Sequence, residues 1–305
     1  MTTSIFKLDK IVLPSSVEFV ELSNQRWDAG IEQMIEYPAG HPHPMFTAVK
    51  SQKPKIEFTT PQISTLLANV GVGGASITSP ITTYFKAASA TGSVARATTG
   101  HKKVVLNKTL AYWNTLRLPH NGKAEVDVVL CAVWDGTNDP FVYTGSVALS
   151  GNLTAAEYFG AGPVTINGTN VPGVQSIEIA SGVKLIEAGE ASNVWDDFVG
   201  LEMTAPVVTI RTFEPTNWPT LGLTGTALDG TNGLKFFARK YSANGSRVAN
   251  ATTQHVKFVG LLGSAVPVDS SGQDAGPITD TLKCTLVSSD DSVPPLAGTV
   301  DSAIS

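Results

Sequence analysis

Charged residues are scarce in this chain of 305 residues: they make up 15% of it, and the formal net charge is −5. The 21 Lys and Arg are outnumbered by 26 Asp and Glu, so there is no basic excess to attract a phosphate backbone. The composition therefore disfavours nucleic-acid binding as a main source of affinity. Hydrophobic residues still reach 42%, which indicates a folded protein rather than a disordered one.

Cysteine and long apolar runs are also scarce. The two cysteines, Cys131 and Cys284, are too few for a disulfide scaffold and too far apart for a zinc motif. We expect both to be small buried hydrophobic residues. No run reaches the roughly 18 apolar residues of a membrane span, and the first residues lack the apolar core of a signal peptide. We expect a protein that folds in a cytoplasm and has no membrane anchor.

Catalytic motifs are missing as well, including the nucleophile elbow, the Walker loop and the dinucleotide-binding glycine pattern. His101 and His255 each begin a predicted strand, and we expect them to form structural hydrogen bonds across a strand end. The run His41-Pro42-His43-Pro44 predicts a loop stiffened by proline, and His120 should be exposed beside a turn. The sequence thus predicts no catalytic residue, no cofactor and no metal, and the chain is not expected to be an enzyme.

Three acidic segments are candidates for cation loops, but none has the spacing of an EF-hand. They are 195–197, 289–291 and Trp134-Asp135-Gly136-Thr137-Asn138-Asp139. We expect solvated loops in the first two and a turn in the third.

What the sequence does contain is an internal repeat. Residues 97–105 and 251–259 agree at six of nine positions, at an offset of 154. Further blocks follow in the same order, and they are 17–21 with 174–178, 54–60 with 206–212, Tyr84-Phe85 with Phe236-Phe237, and Asp127 and Cys131 with Asp280 and Cys284. The repeat predicts two tandem copies of one domain of roughly 150 residues, with boundaries at 1–160 and 161–305.

Each copy is predicted to be mainly β, an antiparallel β-sandwich or barrel with one short helix, because Thr, Val, Gly and Pro mark short strands joined by turns. Predicted strands are Ser16–Leu22, Lys55–Thr59, Thr82–Ala88, Lys103–Thr109 continuing to Leu118, and Val126–Val133 in copy one, and Gln175–Ile179, Val183–Glu187, Val207–Thr212, Leu234–Tyr241, Val256–Leu261 and Thr281–Leu286 in copy two. Between the first two strands of copy one lies a charged and polar stretch.

The predicted helix of copy one follows Thr60 as N-cap and Pro61, and it ends before Gly71. Copy two has a weaker helix signal at 214–219, and the linker has a short one at 152–159. Long loops suited to binding or assembly are predicted at 71–83, 87–100, 138–151, 220–233 and 264–279.

The order of these elements carries a family resemblance. A Val/Ile-rich strand ending in Thr is followed by a helix, a Phe-rich strand and a strand with the pattern His-x-Lys-[Val/Phe]-Val. The segments are Val207–Thr212, Leu234–Lys240, Val248–Leu262 and Asp280–Ser288, with their counterparts in copy one. This pattern resembles the tail tube proteins of tailed bacteriophages.

The resemblance implies a structural virion protein. Members of the family stack as rings into a hollow tube, whose inner β-barrel conducts the genome. A duplicated member is expected to form trimeric, pseudo-hexameric rings by self-assembly and to contact other phage tail proteins. DNA would pass through without specific binding, aided by an acidic wall. The expected location is the virion tail, after assembly in the host cytoplasm.

Other functions stay open at this point. A baseplate hub, a tail terminator and a capsid decoration protein share the features described. A different class is a carbohydrate-binding or glycan-degrading β-sandwich, which predicts a groove with solvent-facing Trp or Tyr and, for an enzyme, two close carboxylates. The tryptophans available for such a groove are Trp113, Trp134, Trp195 and Trp218.

Overall fold

A computed structural model describes residues 5–89, 92–149, 151, 153, 157–190, 193–213, 225–271 and 279–304. The prediction of a mainly β protein is confirmed. The first half of the chain contains the helix α1 (Ile63–Asn69), a 3-10 turn (Pro14–Ser16), and the strands β1 (Ile5–Val12), β2 (Glu18–Phe19), β3 (Ser23–Asp28), β4 (Ile31–Glu36), β5 (Phe46–Gln52), β6 (Lys55–Thr60), β7 (Ala75–Ile77), β8 (Ile81–Ser89), β9 (Gly92–Ser93), β10 (His101–Leu106), β11 (Lys108–Pro119), β12 (Glu125–Val133) and β13 (Phe141–Val147).

The second half continues with strands alone in its described residues. They are β14 (Tyr158–Ile166), β15 (Thr169–Val171), β16 (Val174–Ala180), β17 (Lys184–Gly189), β18 (Asp196–Met203), β19 (Val207–Thr212), β20 (Thr226–Ala227), β21 (Leu234–Tyr241), β22 (His255–Gly260), β23 (Leu262–Ser271), β24 (Thr279–Val287) and β25 (Ala297–Ser302). Strand β14 runs across the predicted boundary between residues 160 and 161.

The strands form three larger sheets and two separate hairpins. One small sheet has the order β13-β10-β8-β1-β2, and the other has the order β25-β22-β21-β14-β15. The large sheet has the order β20-β23-β24-β19-β16-β11-β12-β6-β3, with β7 also paired to β11. We call β4–β5 the first hairpin and β17–β18 the second hairpin. No sheet closes on itself within the described residues.

The two halves of the chain follow the same ladder order. Each has a small sheet, a hairpin and five strands of the large sheet, which are β7-β11-β12-β6-β3 in the first half and β20-β23-β24-β19-β16 in the second. We call two residues counterparts when they occupy the same rung in the two halves. The rung Ile56–Leu130, for example, corresponds to the rung Val208–Cys284. Register shifts recur at matching rungs in the two hairpins.

One pair of strands connects the halves. Strand β11 pairs antiparallel with β16, with Arg117 opposite Glu178 and Leu118 opposite Ile177. Because β11 also pairs with β12, and β16 also pairs with β19, this β11–β16 join makes a single ten-stranded sheet out of both halves.

The main core lies between this sheet and the two small sheets. Alternate residues of the strands point inward, as the period of two requires, and include Phe58, Trp113, Ile177 and Ile210. In the second half Phe236 and Phe258 stack with ring centroids 4.9 Å apart. One continuous cluster contains residues of both halves, so the halves share a core.

The helix α1 is present, but it begins at Ile63 rather than directly after Thr60. The side chain of Gln62 is engaged elsewhere: its Oε1 accepts a hydrogen bond from the Val20 amide, and its Nε2 donates to the Glu18 carbonyl. Buried Ile63 and Leu66 attach the helix to the core. The helix ends before Gly71, as predicted. Gly71 has a positive φ of 74°, which suits glycine.

Several segments differ from their predicted structure. The predicted strand 16–22 is a turn followed by the short β2, and the polar stretch after it contains β3 and the first hairpin. The predicted strand from residue 103 to 118 breaks at Asn107, where the chain leaves a small sheet for the large one. Predicted loops 138–151 and 264–279 contain β13 and most of β23. Polar composition predicts loops there, but solvent-facing strands are also polar.

Two of the predicted helices can be placed only in part. Tyr158 and Phe159, assigned to the linker helix, lie in β14 because they pair with Tyr241 and Lys240. Most of the preceding residues of that prediction, and the helix predicted at 214–219, lie outside the described residues.

The repeat itself needs three corrections of alignment. Residues 174–178 belong to β16, whose counterpart is β3, so their match to 17–21 is wrong. The match of Tyr84-Phe85 to Phe236-Phe237 is shifted by one residue, because Phe85 occupies the rung that corresponds to Ala238. The offset between counterparts is 152 in the hairpins and 154 from His101 to His255, so it varies along the chain.

The cysteines are buried, as predicted, but they are not counterparts. Cys131 lies opposite Lys55 and points to the outer face of the large sheet, whereas Cys284 lies opposite Val208 and points into the core. A shift of one rung reverses the face of a strand residue. Asp127 and Asp280 differ by the same shift of one rung, so they are not counterparts either. Burial raises the pKa of the Cys131 thiol to about 11 and that of Cys284 to about 12.

We expect Phe258→Ala to lower the free energy of unfolding by about 3–5 kcal/mol, because it removes a fully buried ring and leaves a cavity. The matched control is Phe198→Ala, in which an exposed ring is removed and the change should stay within about 0.5 kcal/mol. Urea unfolding followed by circular dichroism measures both values. Equal losses in the two variants would contradict the assignment of the core.

Candidate functional site

The two repeated histidines form the same buried structure in each half. His101 is fully buried; its Nδ1 accepts from the Ala87 amide at 3.0 Å, and its Nε2 lies 2.9 Å from the Ala95 carbonyl. His255 makes the same contacts with the Lys240 amide at 3.1 Å and the Ala249 carbonyl at 3.0 Å. The Nε2 atoms therefore carry the hydrogen and donate.

These bonds tie the start of one strand to the loop before it. Thr98 and Thr252 cap the same loops by donating their hydroxyls to the Ala95 and Ala249 carbonyls. The predicted hydrogen bond across a strand end is thus confirmed. Both ring nitrogens of each histidine are used and shielded from solvent.

The remaining three histidines lie in two separate places. His41 and His43 lie at the exposed tip of the first hairpin. His120 is half-buried rather than exposed, because Arg247 lies against it and donates to its carbonyl at 3.2 Å. Among the described residues no group of three or more His, Cys, Asp or Glu side chains is placed to hold a metal ion.

The segment 134–139 is a turn, as predicted. The Asn138 side chain donates from Nδ2 to Asp135 Oδ2, and the Asn138 and Thr137 backbone amides donate to Oδ1. These bonds, with the Asn138 side chain first, lower the pKa of the Asp135 carboxyl. The sequence Asp-Gly-Thr-Asn recurs at 229–232, a repeat that the sequence reading missed. There the amides of Thr231, Asn232 and Gly233 donate to Asp229, with the Gly233 bond the largest influence, and lower its pKa to about 2.

A shallow aromatic groove lies on the core-facing side of the first small sheet, where Trp27 of β3 also lines it. Its volume is about 460 Å³, and its lining residues are Phe6, Trp27, Phe85, Lys102, Val104, Phe141 and Tyr143. The Lys102 ammonium lies 4.0 Å from the Phe6 ring centroid and 5.4 Å from that of Tyr143. No carboxylate is among these lining residues, so the groove lacks the acid pair of a glycosidase.

Two of the described tryptophans lie close together, and a third is buried away from them. Trp27 and Trp195 both contact Phe141 edge-on, at centroid distances of 5.4 and 5.9 Å. Trp113 is buried and donates from Nε1 to the Gly71 carbonyl. Trp218 lies outside the described residues.

The outer face of the large sheet is polar where it crosses the β11–β16 join. Arg117 lies between Glu125 and Glu178 on the neighbouring strands and binds Asp127 at 2.8 Å. Asp127 also accepts from the Thr59 hydroxyl at 2.8 Å. Further along, Arg211 and Lys283 share this face. The face therefore carries charges of both signs, and Arg117 and Asp127 form an ion pair at the join.

Next to this polar area, the same face is apolar and covered. Leu110, Val129, Cys131 and Val133 of β11 and β12 form a separate cluster. The second hairpin packs on this cluster through three side chains, which are Leu185, Val199 and Leu201. A hairpin of the second half thus covers the sheet of the first half.

The tip of the second hairpin is held by backbone bonds. The Gln52 amide donates to the Val194 carbonyl at 2.7 Å, and the Trp134 amide donates to the Asp196 carbonyl at 2.9 Å. Lys53 Nζ lies 2.5 Å from Glu187 and 3.2 Å from Asp196, which raises the pKa of the lysine. Asp196 therefore belongs to a strand and an ion pair, not to the predicted solvated loop.

The first hairpin has no such cover. Its large apolar side chains are exposed over its whole length, and they are Ile31, Met34, Ile35, Tyr37, Met45, Phe46 and Val49. An apolar surface of this kind on a soluble protein commonly marks a contact site.

The large sheet also has two ends that match its own join. Strand β16 pairs on both sides, but its counterpart β3 pairs only with β6 in the described part of the chain. Strand β11 pairs with β16 through residues 115–119. The corresponding end of β23, residues 269–271, pairs only with β24 among the described residues. These ends are unpaired edges. No helix in the described residues is long and apolar enough to cross a membrane.

We expect His101→Ala and His255→Ala to destabilise the protein to a similar extent. Each removes a fully buried ring and leaves the amide that it bonded, Ala87 or Lys240, without that partner, at about 1–3 kcal/mol for the amide. The Ala95 and Ala249 carbonyls keep their threonine donors. Exposed His43→Ala is the control, with a change within about 0.5 kcal/mol. Thermal unfolding measures all three. A stable His101 or His255 variant would show that the histidine has another role.

We expect Asp229→Asn to be less stable than the wild type at neutral pH and equal to it in strong acid. The folded pKa of about 2 lies below the ordinary 3.8, so the carboxylate stabilises the fold above pH 3.8 and loses this effect as the pH falls through about 2. Thermal midpoints across this range measure the difference. A midpoint that rises with added calcium would instead indicate a cation loop.

Comparison with known proteins assigns the chain to no family. No protein-family model matches it, and no curated protein matches it. The function has to be inferred from the chain's own geometry, which offers two unpaired sheet edges, an uncovered hairpin and a shared ladder order.

Proposed function

We propose that this chain is a structural subunit that associates with copies of itself, as the tail tube protein of a tailed bacteriophage. In this proposal the two halves are equivalent units of a duplicated domain. Three chains then provide six units and form a trimeric, pseudo-hexameric ring. Stacked rings form the channel through which DNA leaves the virion, and the chain has no catalytic role.

The observation that carries the proposal is the β11–β16 join. It shows that an end of one unit can add to the edge of the next by ordinary strand pairing. The counterparts of the joined segments are the last residues of β23, 269–271, and strand β3, and in the described residues each of these pairs with one strand only, β24 or β6. A second chain can therefore repeat between molecules what the join does within one.

Repetition of one contact in a head-to-tail manner gives either a closed ring or an open filament. A ring is favoured because it pairs every edge, whereas a filament leaves two exposed. The twist of a β-sheet also directs a long row of antiparallel strands towards closure. The sheet faces would then separate an apolar, packed layer from a polar wall.

The polar wall fits a channel for DNA in one respect. Arg117 is already bound by Asp127 and lies between two glutamates, so it is a poor partner for a phosphate. Basic side chains that are paired with carboxylates release few counterions from DNA. The wall would therefore bind DNA weakly. This differs from the acidic wall that the resemblance implies, although both let DNA slide.

A baseplate hub or a tail terminator would use the same join and differ in what stacks above and below. Binding of a glycan has one observation in its favour, the exposed Trp27 and Tyr143 of the aromatic groove. Lys102 lies over two rings of that groove, and no carboxylate lines it. We therefore prefer assembly as the function.

We expect negative-stain electron microscopy of the concentrated protein to show rings or tubes, with a mass in solution of three chains. Strand pairing predicts an intermolecular disulfide in Arg26→Cys/Ser271→Cys, because these positions are the counterparts of Glu178 and Arg117. The control is Arg117→Cys/Glu178→Cys, which should close within one chain.

A protein that stays monomeric at high concentration and binds a glycan would contradict the proposed function. A mass of two or twelve chains would contradict the trimer.

A further inference from the structure

The second hairpin already shows how a hairpin binds a large sheet, and the two halves share their ladders. We infer that the first hairpin of one chain docks on the outer face of β23 and β24 of a second copy. The contact would reproduce the one between the second hairpin and β11–β12. This inference rests on the self-association proposed above and specifies the surfaces involved.

The donor surface is the face of the first hairpin that corresponds to the packed face of the second. Leu185, Val199 and Leu201 make the internal contact. Their counterparts, on identical rungs, are Gln33, Thr47 and Val49. Ile35, the counterpart of Glu187, lies on the same face and is about half exposed.

The acceptor surface lies on the rungs that match the apolar cluster, although three of the four cluster residues have polar counterparts, which are Ser264, Lys283 and Thr285. Tyr112, Val129 and Val133 have Val266, Lys283 and Val287 as counterparts. Val266 and Val287 are exposed, at 37% and 51%, while Val133 under the second hairpin is 2% exposed. The same rungs are therefore covered in one half and open in the other.

A cleft marks the place where the tip of the docking hairpin would insert. It has a volume of about 650 Å³ and is lined by Met203, Thr204, Ala205, Leu286 and Ser288, among others. Thr204 and Ser288 are the counterparts of Gln52 and Trp134, whose amides hold the tip of the second hairpin. In the first half this position is filled.

The two hairpin tips have the same length. Residues 37–45 lie beyond the rung Glu36–Phe46, and residues 189–197 lie beyond the matching rung Ala188–Phe198. The polar anchor is not repeated. Lys53, Glu187 and Asp196 have Ala205, Ile35 and Pro44 as counterparts. The contact between chains would be more polar at its centre, because Gln33, Thr47 and Lys283 take the places of Leu185, Val199 and Val129. Its apolar area would come from Ile35, Val49, Val266 and Val287.

Disulfide trapping tests this docking directly. Leu201 and Tyr112 both adjoin Gly74, where an added Cβ would lie 3.1 Å from Leu201 Cδ1 and 3.2 Å from Tyr112 Cβ. Their counterparts are Val49 and Val266. We expect Val49→Cys/Val266→Cys to form a disulfide between chains. All cysteine variants also carry Cys131→Ala, because Cys131 belongs to the cluster on which Leu201 and Tyr112 pack and would compete in the control. Native Cys284 is buried in the core and should not compete.

Two controls accompany the trap. Leu201→Cys/Tyr112→Cys should close within one chain at any concentration, which calibrates the geometry. Val49→Cys/Val142→Cys pairs the hairpin with an equally exposed valine on the small sheet and should not cross-link. As a non-covalent test, Val266→Asp should weaken self-association at least about tenfold, while Val142→Asp should not. Both valines are exposed, so neither variant should change the melting temperature of the monomer.

The outcomes separate this inference from the proposed function. A cross-link in dimers without rings would support the docking and contradict the tube. Rings or tubes without the cross-link, with the Leu201–Tyr112 control formed, would overturn the docking and leave the tube intact. A protein that neither associates nor cross-links would overturn both.

Discussion

The antiparallel pairing of β11 with β16 is the interaction on which the rest of the structure depends. It unites two sets of five strands into one sheet and places both halves on a shared core. It also brings the second hairpin within reach of the first half, where it covers an apolar surface that would otherwise be exposed. The same pairing leaves a matching edge at each end of the sheet, so one backbone geometry accounts for both the internal order and the proposed assembly.

The repeat was visible in the sequence wherever its residues are held by specific bonds. His101 and His255 recur because each ring accepts a hydrogen bond from a backbone amide and donates one to a backbone carbonyl, which few other side chains can do at once. Strands with a strong alternation, such as Val207–Thr212, were also predicted correctly. The overall β class followed from the same residues.

The sequence could not supply the exact register. Cys131 and Cys284 agree in type but face opposite sides of the sheet, because a core position accepts several hydrophobic residues of similar size. It also could not show the first hairpin, whose charged residues resemble a loop. The contacts of Lys53 with Glu187 and Asp196 join segments far apart in the chain, and no local pattern announces them.

The internal contact of the second hairpin has a consequence for the kinetics of the proposed ring. Within one chain the two partners are tethered, so their contact forms at a high effective concentration and does not depend on how much protein is present. Only the contacts between chains depend on dilution. A ring of six separate units would have twice as many concentration-dependent contacts as a ring of three fused chains. Fusion would therefore lower the protein concentration at which assembly begins and reduce the number of incomplete intermediates.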